Sequence, residues 1–443
     1  MAAVNEREAA LFALMDITDG GGYNNIVLKR SFEREKHLDK RQKAFVTEIV
    51  NGTLRNIIRI DYIIGKFSKT PVKKIKVMIL NILRISVYQI LFMSKVPPSA
   101  AVNEGVNLAR KKGYQGLSGY VNGLLRTIAR EKDSINYPDF ETNPKENLSI
   151  VYSYPEWLIE YLSTFMENDE IKCFCEASSR SPKISICVNS LKTTKEELKT
   201  ILEKEGMTVS EGRISPHCLI VSGTADLSSS KAYQEGLFHV MDEGAMAVVS
   251  ACGPKPGETI YDLCAAPGGK SFYLSYLMEN KGFVYASDIY EHKIALMKKG
   301  AERLGIDIME LSLSDASILK EDMKEKADCV LLDAPCSGLG LIRKKPDIKY
   351  NKSMEDIEEL SKIQRKLLDA AAFYPKIGGR LIYSTCTLSK KENEDNIKYF
   401  IEKYPYELEK IPSLQGDNNG SIRLTPHEHG TDGFFIARLI RRG

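Results

Sequence analysis

The sequence lacks a long uninterrupted apolar segment. Its most apolar run, Val77 to Met93, is broken by Asn81 and Arg84, at positions where a membrane-spanning helix would be apolar. The first residues also lack the basic and then apolar pattern of a secretory signal segment. We therefore expect a soluble cytoplasmic protein with no membrane partner.

Paired cysteine motifs are absent as well. The nine cysteines are an odd number, and no two of them are spaced as C-x-x-C. Disulfide frameworks need pairs, and structural zinc sites usually draw their ligands from such motifs. The pattern excludes both interpretations, and we expect no bound metal.

Acidic residues are scarce in one long stretch, although the whole chain has a formal net charge of only +3. From Arg55 to Arg130 there are 14 Lys and Arg residues, and the only acids are Asp61 and Glu104. This density indicates a polyanion partner. A solvated basic surface is the alternative interpretation.

The length of 443 residues allows two or three domains. Residues 1–132 show helical apolar spacing and predict an all-α domain. The predicted helices are Arg7 to Ile17, Lys40 to Asn56, Asp61 to Lys66, Val72 to Phe92, Ala100 to Lys112 and Gly119 to Glu131. The helix from Val72 is apolar almost all round, which is typical of the central element of a bundle.

Two shorter regions follow. Residues 133–148 are polar and contain prolines, which predicts a linker. Residues 149–235 predict a small α+β connector, with a strand over Lys183 to Asn189 and a helix that begins with a capping box of Thr194 and Glu197.

Strands and helices alternate over residues 236–443, which predicts a doubly wound, mostly parallel α/β sheet. The predicted strands are Thr259 to Leu263, Gly282 to Ser287, Ile308 to Leu313, Ala327 to Leu332 and a fifth from Gly378. Ligands of such sheets bind beyond the carboxyl ends of the strands. The side chains that follow these strands are therefore the candidate site residues.

The stretch Thr259-Ile-Tyr-Asp-Leu-Cys-Ala-Ala-Pro-Gly-Gly-Lys270 predicts a strand, a turn and a helix. Gly268 and Gly269 allow close approach of a ligand, and a helix starting near Lys270 directs N–H groups towards it. Neither G-x-G-x-x-G nor G-x-x-x-x-G-K-[ST] fits, which excludes two common phosphate loops. We interpret the stretch as a cofactor cradle, with a simple tight turn as the alternative.

Acids stand at the ends of the second and third predicted strands. A carboxylate at the first of these positions, Asp288, can accept two hydrogen bonds from a ribose diol. Because no phosphate loop precedes it, a nucleoside without phosphates is favoured, and S-adenosylmethionine is the common one. Asp315 could accept from the adenine amino group, although either acid alone could instead be a helix N-cap.

Cysteines follow the fourth and fifth predicted strands, in Asp333-Ala-Pro-Cys-Ser-Gly338 and Ser384-Thr-Cys-Thr387. A buried inert cysteine is the ordinary interpretation of either one. Two cysteines at neighbouring strand ends indicate a catalytic thiolate. Such a thiolate suits methylation of a pyrimidine, because carbon 5 becomes nucleophilic once a thiolate adds to carbon 6.

These motifs resemble those of the NOL1/NOP2/Sun family of RNA cytosine-5 methyltransferases, from about Lys183 to the C-terminus. The resemblance rests on Asp262-Leu-Cys-Ala-Ala-Pro-Gly-Gly-Lys270, on the two cysteine motifs, and on Arg343-Lys-Lys-Pro-Asp347. The first 130 residues resemble the RNA-binding NusB antitermination factor. There the pattern includes Val102-Asn-Glu-Gly-Val-Asn-Leu-Ala-Arg-Lys-Lys112.

The resemblance implies a Rossmann-like class I methyltransferase domain that uses S-adenosylmethionine, behind a NusB-like domain. It implies that Cys386 is the nucleophile, that Cys336 assists release of methylated RNA, and that Asp333 lies near the flipped cytosine. The cofactor residues it implies are Cys264, Ala265, Ala266, Pro267, Gly268, Gly269, Lys270, Asp288, Asp315 and Asp333. The implied substrate is 16S ribosomal RNA at cytosine 967, and the implied state is a monomer without an obligatory protein partner.

Three positions depart from the family pattern and bear on RNA contacts. Cys187 stands where Arg is usual, Met241 where Gln is usual, and Lys293 where Arg is common.

Amino-group methylation is a competing enzyme class, which would place D/N-P-P-Y/F after the fourth strand. The sequence has Asp333-Ala-Pro-Cys336 there and so disfavours it. Cytosine-5 methylation of another RNA, or a non-enzymatic RNA-binding assembly factor, are the remaining alternatives.

Overall fold

The chain folds into two units in a computed structural model that describes residues 4–223, 226–412, 414 and 418–443. The first unit contains the described residues of 1–179 together with Lys344–Asn351, and the second contains those of 180–343 and 352–443. Residues 1–3, 224–225, 413 and 415–417 of the predicted domains lie outside the described residues.

The first unit is built of α-helices. They are α1 Glu6–Thr18, α2 Asn24–Arg34, α3 Lys40–Arg55, α4 Ile57–Phe67, α5 Val77–Phe92, α6 Pro98–Lys111, α7 Ser118–Glu131, α8 Pro144–Tyr152, α9 Glu156–Leu162 and α10 Asn168–Ser179. The sequence pattern misses α2, which buries only a narrow face, and α8 begins inside the predicted linker. The predicted helix from Val72 is divided, because Val72–Lys74 forms a 3-10 turn before α5 begins.

The central position predicted for α5 is confirmed. Its buried residues include Ile79, Ile82, Leu83, Ile85, Val87 and Ile90. The polar residues that interrupt its apolar run have partners. Asn81 Nδ2 donates to Asp19 Oδ2 at 3.1 Å. Arg84 donates to both oxygens of Asp61, at 2.8 and 2.6 Å. Pairing lets these side chains lie within the bundle at modest cost.

The segment Lys344–Asn351 packs with the helices of the first unit. Lys349 Nζ donates to the carbonyl oxygens of Arg55, 3.1 Å away, and Tyr152, 3.4 Å away, at the ends of α3 and α8. The Tyr350 hydroxyl donates to Leu54 O at 2.9 Å. A cation that caps helix carboxyl ends is favourable, although burial lowers the pKa of Lys349 to about 7. The units therefore divide the chain at positions that the sequence pattern does not mark.

The second unit begins with a small antiparallel sheet. Its strands are β1 Ile184–Val188, β2 Thr208–Glu211, β3 Cys218–Ser222 and β4 Phe238–Val240, in the order β2-β3-β1-β4. The helices beside it are α11 Lys195–Lys204 and α12 Lys231–Gln234. The predicted capping box is confirmed, since Thr194 and Glu197 bond reciprocally at the start of α11. The sequence pattern misses β4, which is only three residues long.

The larger sheet of this unit is mostly parallel. Its strands are β5 Thr259–Asp262, β6 Phe283–Asp288, β7 Met309–Leu313, β8 Ala327–Asp333, β9 Pro375–Thr385, β10 Tyr406–Leu408, β11 Ser421–Leu424 and β12 Phe434–Arg441. The helices around it are α13 Glu243–Cys252, α14 Gly269–Leu277, α15 Glu291–Leu304, α16 Met354–Ala371, α17 Glu394–Lys403 and α18 Pro426–His429. The strand order is β10-β12-β9-β8-β5-β6-β7, and β11 pairs with β12.

Parallel pairing in the larger sheet extends from β9 through β8, β5 and β6 to β7, while β12 runs antiparallel to β9. The predicted fold class is confirmed. Because parallel strands end at one edge, the candidate acids and cysteines follow neighbouring strands on that edge. In the part of the chain that the structure describes, no helix has the length and apolar character to cross a membrane.

We predict that replacing Lys349 by Met changes the pH dependence of stability. Between about pH 7 and about pH 10.5 the unfolded chain holds a proton on Lys349 that the folded chain does not, so this group's contribution to the free energy of unfolding rises with pH. Urea unfolding at about pH 6 and about pH 9 should therefore show the wild type gaining stability relative to Lys349→Met. The exposed neighbour provides the control Lys345→Met, and equal pH dependence of both variants would contradict the prediction.

Candidate functional site

The loop after β5 forms a close-fitting turn into α14. Gly268 has a φ of 103°, and a Cβ atom there would lie 2.6 Å from the Phe272 ring, so the position requires glycine. The Ala265 N–H donates to Ser287 O at 2.8 Å, which fixes the loop against β6. The His239 ring, which sequence reasoning missed, contacts Gly269 O at 3.1 Å. These two contacts fix the loop backbone next to the first N–H groups of α14.

A buried carboxylate lies beneath this loop. Asp262 is fully buried, and its Oδ2 accepts a hydrogen bond from Ser271 Oγ at 2.6 Å. Burial raises the pKa of Asp262 to about 7. Its Oδ1 is buried without a hydrogen-bond partner among the described residues. A polar atom left in this state is a group that a bound ligand can satisfy.

Lys270 and Asp333 form an ion pair at the ends of β5 and β8. Lys270 Nζ lies 2.6 Å from Asp333 Oδ2, and Ser384 Oγ donates to Asp333 Oδ1 at 2.7 Å. Burial alone would lower the pKa of Lys270, but the Asp333 and Asp262 carboxylates outweigh burial and hold that pKa above its ordinary value. Lys270 is therefore an ammonium group that balances the acids of the site.

The side chains of the two candidate cysteines are in contact. Cys336 Sγ and Cys386 Sγ lie 3.2 Å apart, and both side chains are half-buried. The pKa of Cys336 is raised well above its usual value, first by its hydrogen bond with Cys386, then by burial and by the nearby acids. The raised pKa favours the protonated form of Cys336, which can then be the donor in the contact between the two sulfurs.

The remaining candidate acids lie further along the same edge. Asp288 is the last residue of β6, is almost fully buried, and accepts from the Tyr290 N–H at 3.1 Å. Lys293, one of the departures from the family pattern, places its Nζ 3.5 Å from Asp288. Asp315 is exposed and accepts two bonds from Ser317, which lower its pKa.

The structure brings Lys270, Asp333, Cys336 and Cys386 into one cluster, and it aligns the cradle and Asp288 with them along the sheet edge. The other two departures, Cys187 and Met241, are buried in the core. Within the described residues, no group of His, Cys, Asp and Glu has the arrangement of a metal site.

Family models match three parts of the chain. Residues 4–130 match the NusB family, residues 154–228 match the ferredoxin-like domain of RsmF/B-like methyltransferases, and residues 249–440 match 16S rRNA methyltransferase RsmB/F. The probable ribosomal RNA small subunit methyltransferase B of Bacillus subtilis is 36% identical over 455 residues, covering 100% of both chains. The chain belongs to the RsmB/F family of 16S rRNA methyltransferases. The predicted enzyme class and the family resemblance are confirmed.

A further relative and two solved structures are similar to the chain. The ribosomal RNA small subunit methyltransferase B of Shewanella oneidensis is 30% identical and covers 99% of each chain. Among solved structures, that of PH0851 is 31% identical with a TM-score of 0.79, and the match covers 99% of this chain and 98% of that one. The structure of NSun6 from Pyrococcus horikoshii with SFG is 27% identical with a TM-score of 0.60, covering 65% and 98%.

We predict that Asp288→Ala weakens S-adenosylmethionine binding. Loss of charge-assisted hydrogen bonds worth roughly 1.5–3 kcal/mol should lower the affinity about 10- to 100-fold, while RNA affinity stays unchanged. Isothermal titration calorimetry measures the first effect and RNA binding the second. The exposed acid Glu291 provides the matched control Glu291→Ala, and wild-type affinity in Asp288→Ala would remove Asp288 from the site.

Proposed function

We propose that this RsmB/F methyltransferase methylates carbon 5 of a cytosine in 16S ribosomal RNA through a covalent bond between Cys386 and carbon 6. The observation that carries the proposal is the sulfur pair, with Cys336 and Cys386 3.2 Å apart beside the Lys270–Asp333 ion pair. Carbon 5 of cytosine is a poor nucleophile, and addition of a thiolate to carbon 6 activates it. Amino-group methylation does not need two cysteines at this place.

The cradle fits S-adenosylmethionine, which supplies an electrophilic methyl group when bound. The requirement for glycine at position 268 and the unpartnered, buried Oδ1 of Asp262 are features of a site shaped for a ligand. We assign the loop from Cys264 to Lys270 and the carboxylate of Asp288 to holding it. We assign the adenine side to Asp315, which is exposed at the end of β7.

Cys386 begins the reaction as a thiolate that accepts a hydrogen bond from the Cys336 thiol. The target base must leave its stack to reach this pair. Cys386 forms the bond to carbon 6, the electron pair of the 5,6 double bond moves to carbon 5, and carbon 5 then takes the methyl group. We assign Asp333 to the N3 edge of the base, where its carboxylate would accept from the adjoining 4-amino group and orient the ring, and Lys270 offsets its charge.

Cys336 completes the cycle. The carbon 5 proton leaves to water, the bond between Cys386 and carbon 6 breaks, and the 5,6 double bond re-forms. Cys336 gives its proton to the leaving sulfur of Cys386. Transfer of that proton back across the 3.2 Å sulfur contact restores the starting pair. These groups all lie within the second unit of one chain, which supports action as a monomer.

The choice of 16S ribosomal RNA is supported by the relatives' names and by the basic stretch from Arg55 to Arg130. The test is to methylate deproteinised 16S RNA and transfer RNA with the purified enzyme and to identify the methylated nucleoside by mass spectrometry. We expect 5-methylcytidine in 16S RNA. N4-methylcytidine, a product only in transfer RNA, or no methyl transfer would each overturn the proposal, and bisulfite sequencing of RNA from cells with and without the gene would locate the base.

We predict opposite failures for the two cysteine variants. Cys386→Ala cannot bond carbon 6, so it should be inactive and never become attached to RNA. Cys336→Ala can still add and transfer methyl, but lacking the proton donor it should remain bonded to methylated RNA. A denaturing gel with labelled RNA should show a slow adduct for Cys336→Ala and none for Cys386→Ala or the double variant. An adduct that requires Cys336 instead would reverse the two roles.

We predict that Lys73 and Lys74, exposed at the turn before α5, contribute phosphate contacts. The double variant Lys73→Gln/Lys74→Gln should weaken RNA binding and reduce the slope of log affinity against log salt by about 1.4–1.8, since each contact contributes roughly 0.7–0.9. Filter binding at several salt concentrations measures both. The control pair is Lys298→Gln/Lys299→Gln on α15, equally exposed in the second unit. An equal loss in both pairs would indicate a net-charge effect only.

A further inference from the structure

A buried polar network lies behind the two cysteines. Its members Ser337, Gln364, Glu392, Asn393 and Asn396 are each at most 2% exposed. Burying so many polar groups costs free energy that apolar packing would not, and the cost is tolerable only because they bond to one another. We therefore looked for a function of this network other than packing in the core, namely the placement of the loops that carry the two cysteines.

Glu392 fixes the loop that carries Cys336. Its Oε1 accepts from the Ser337 N–H at 2.8 Å and from Gln364 Nε2 at 3.0 Å, and its Oε2 accepts from Ser337 Oγ at 2.5 Å. The same Gln364 Nε2 donates to Pro335 O at 2.9 Å. One carboxylate thus holds, directly or through Gln364, the residues on both sides of Cys336.

The next residue, Asn393, holds the loop that carries Cys386. Asn393 Oδ1 accepts from Thr385 Oγ1 at 2.6 Å, and Asn393 Nδ2 donates to Thr387 O at 3.0 Å. The two loops are also joined directly, since the hydroxyls of Ser337 and Thr387 lie 2.7 Å apart. Two consecutive residues therefore set the positions of the two sulfurs relative to each other.

The charge of Glu392 adds a second effect. The hydrogen bonds of its carboxylate named above come from neutral donors and not from a cation. The ionisable groups that face Cys336 are Cys386, Glu392, Asp333 and Tyr383, with Lys270 held on Asp333. The Glu392 and Asp333 charges raise the pKa of Cys336 in addition to the effects of Cys386 and burial.

We propose that Glu392 is a positioning residue that holds Cys336 against Cys386 through its bonds to Ser337 and Gln364. This inference rests on the proposed function, because it explains how Cys336, the proton donor, is held next to the nucleophile Cys386. Glu392 acts through Cys336 and does not touch the substrate.

The first test compares Glu392→Gln with Glu394→Gln. The amide at position 392 can keep an acceptor for the Ser337 N–H and Gln364, but it removes the charge and presents a donor to the Ser337 hydroxyl. Glu394, two residues away, pairs with Arg423 at 2.5 Å. We expect kcat of Glu392→Gln to fall on the order of 10- to 100-fold, with KM for RNA and S-adenosylmethionine changed less than about twofold. Glu394→Gln should behave as wild type. Parallel losses of kcat, cofactor affinity and thermal stability in Glu392→Gln would indicate a structural role only and would overturn the proposal.

The second test reads Cys336 directly and needs no methyl transfer. In a Cys386→Ala background, the rate at which iodoacetamide alkylates Cys336 is followed against pH by peptide mass spectrometry. Removing the neighbouring negative charge favours the thiolate, so Glu392→Gln should move the midpoint to lower pH, by about one pH unit. An unmoved midpoint would overturn the effect of the Glu392 charge. Failure of the wild type to make 5-methylcytidine would overturn only the proposed function, because the alkylation of Cys336 does not depend on methyl transfer.

Ser337→Ala decides the matter if Glu392→Gln does not fold. It removes the hydroxyl that bonds to Glu392 and contacts Thr387, and it leaves the backbone bond to Glu392 in place. We expect a kcat about 3- to 10-fold below wild type with unchanged KM. Wild-type kcat in this variant would overturn the proposal.

Discussion

The register between β8 and β9 is the constraint on which the site depends. Asp333 lies opposite Ser384 in this parallel pair, and the Ala334 N–H donates to Ser384 O at 2.9 Å. The two exit loops therefore start level with each other. A slip of one residue would move one loop by about 3.3 Å, as much as the whole separation of the two sulfurs, and would also turn side chains to the other face.

Charge balance is the second constraint, and the site meets it in two ways. Asp333 is offset by the ammonium group of Lys270, so the pair brings little net charge to the place where a base would enter. Glu392 is held by neutral donors instead, and its charge acts on Cys336. Residue type alone therefore does not define a role. Asp333 and Glu392 both lie near the sulfur pair, but Asp333 has a cation as its partner and Glu392 is bonded to neutral donors.

Sequence reasoning located most of this arrangement. Strand ends at Asp288, Asp333 and the two cysteines could be placed, because strands, turns and helix starts depend on residues close together in the chain. It failed where contacts join distant positions. The segment Lys344–Asn351 overlaps the motif Arg343–Asp347 yet packs with the helices, since Lys349 caps helices nearly 300 and 200 residues earlier.

The sequence by itself determined the fold class and the places of the glycine-containing loop and the two cysteines at strand ends, since apolar periodicity and short motifs carry that information. Only the tertiary structure decided that Lys270 pairs with Asp333, that the two sulfurs lie in contact, and that Glu392 and Asn393 bond to the two loops. Those properties depend on distances of a few ångströms between residues about 50 positions apart, such as Ser337 and Glu392. Strand order and register set such distances, and no local pattern records them.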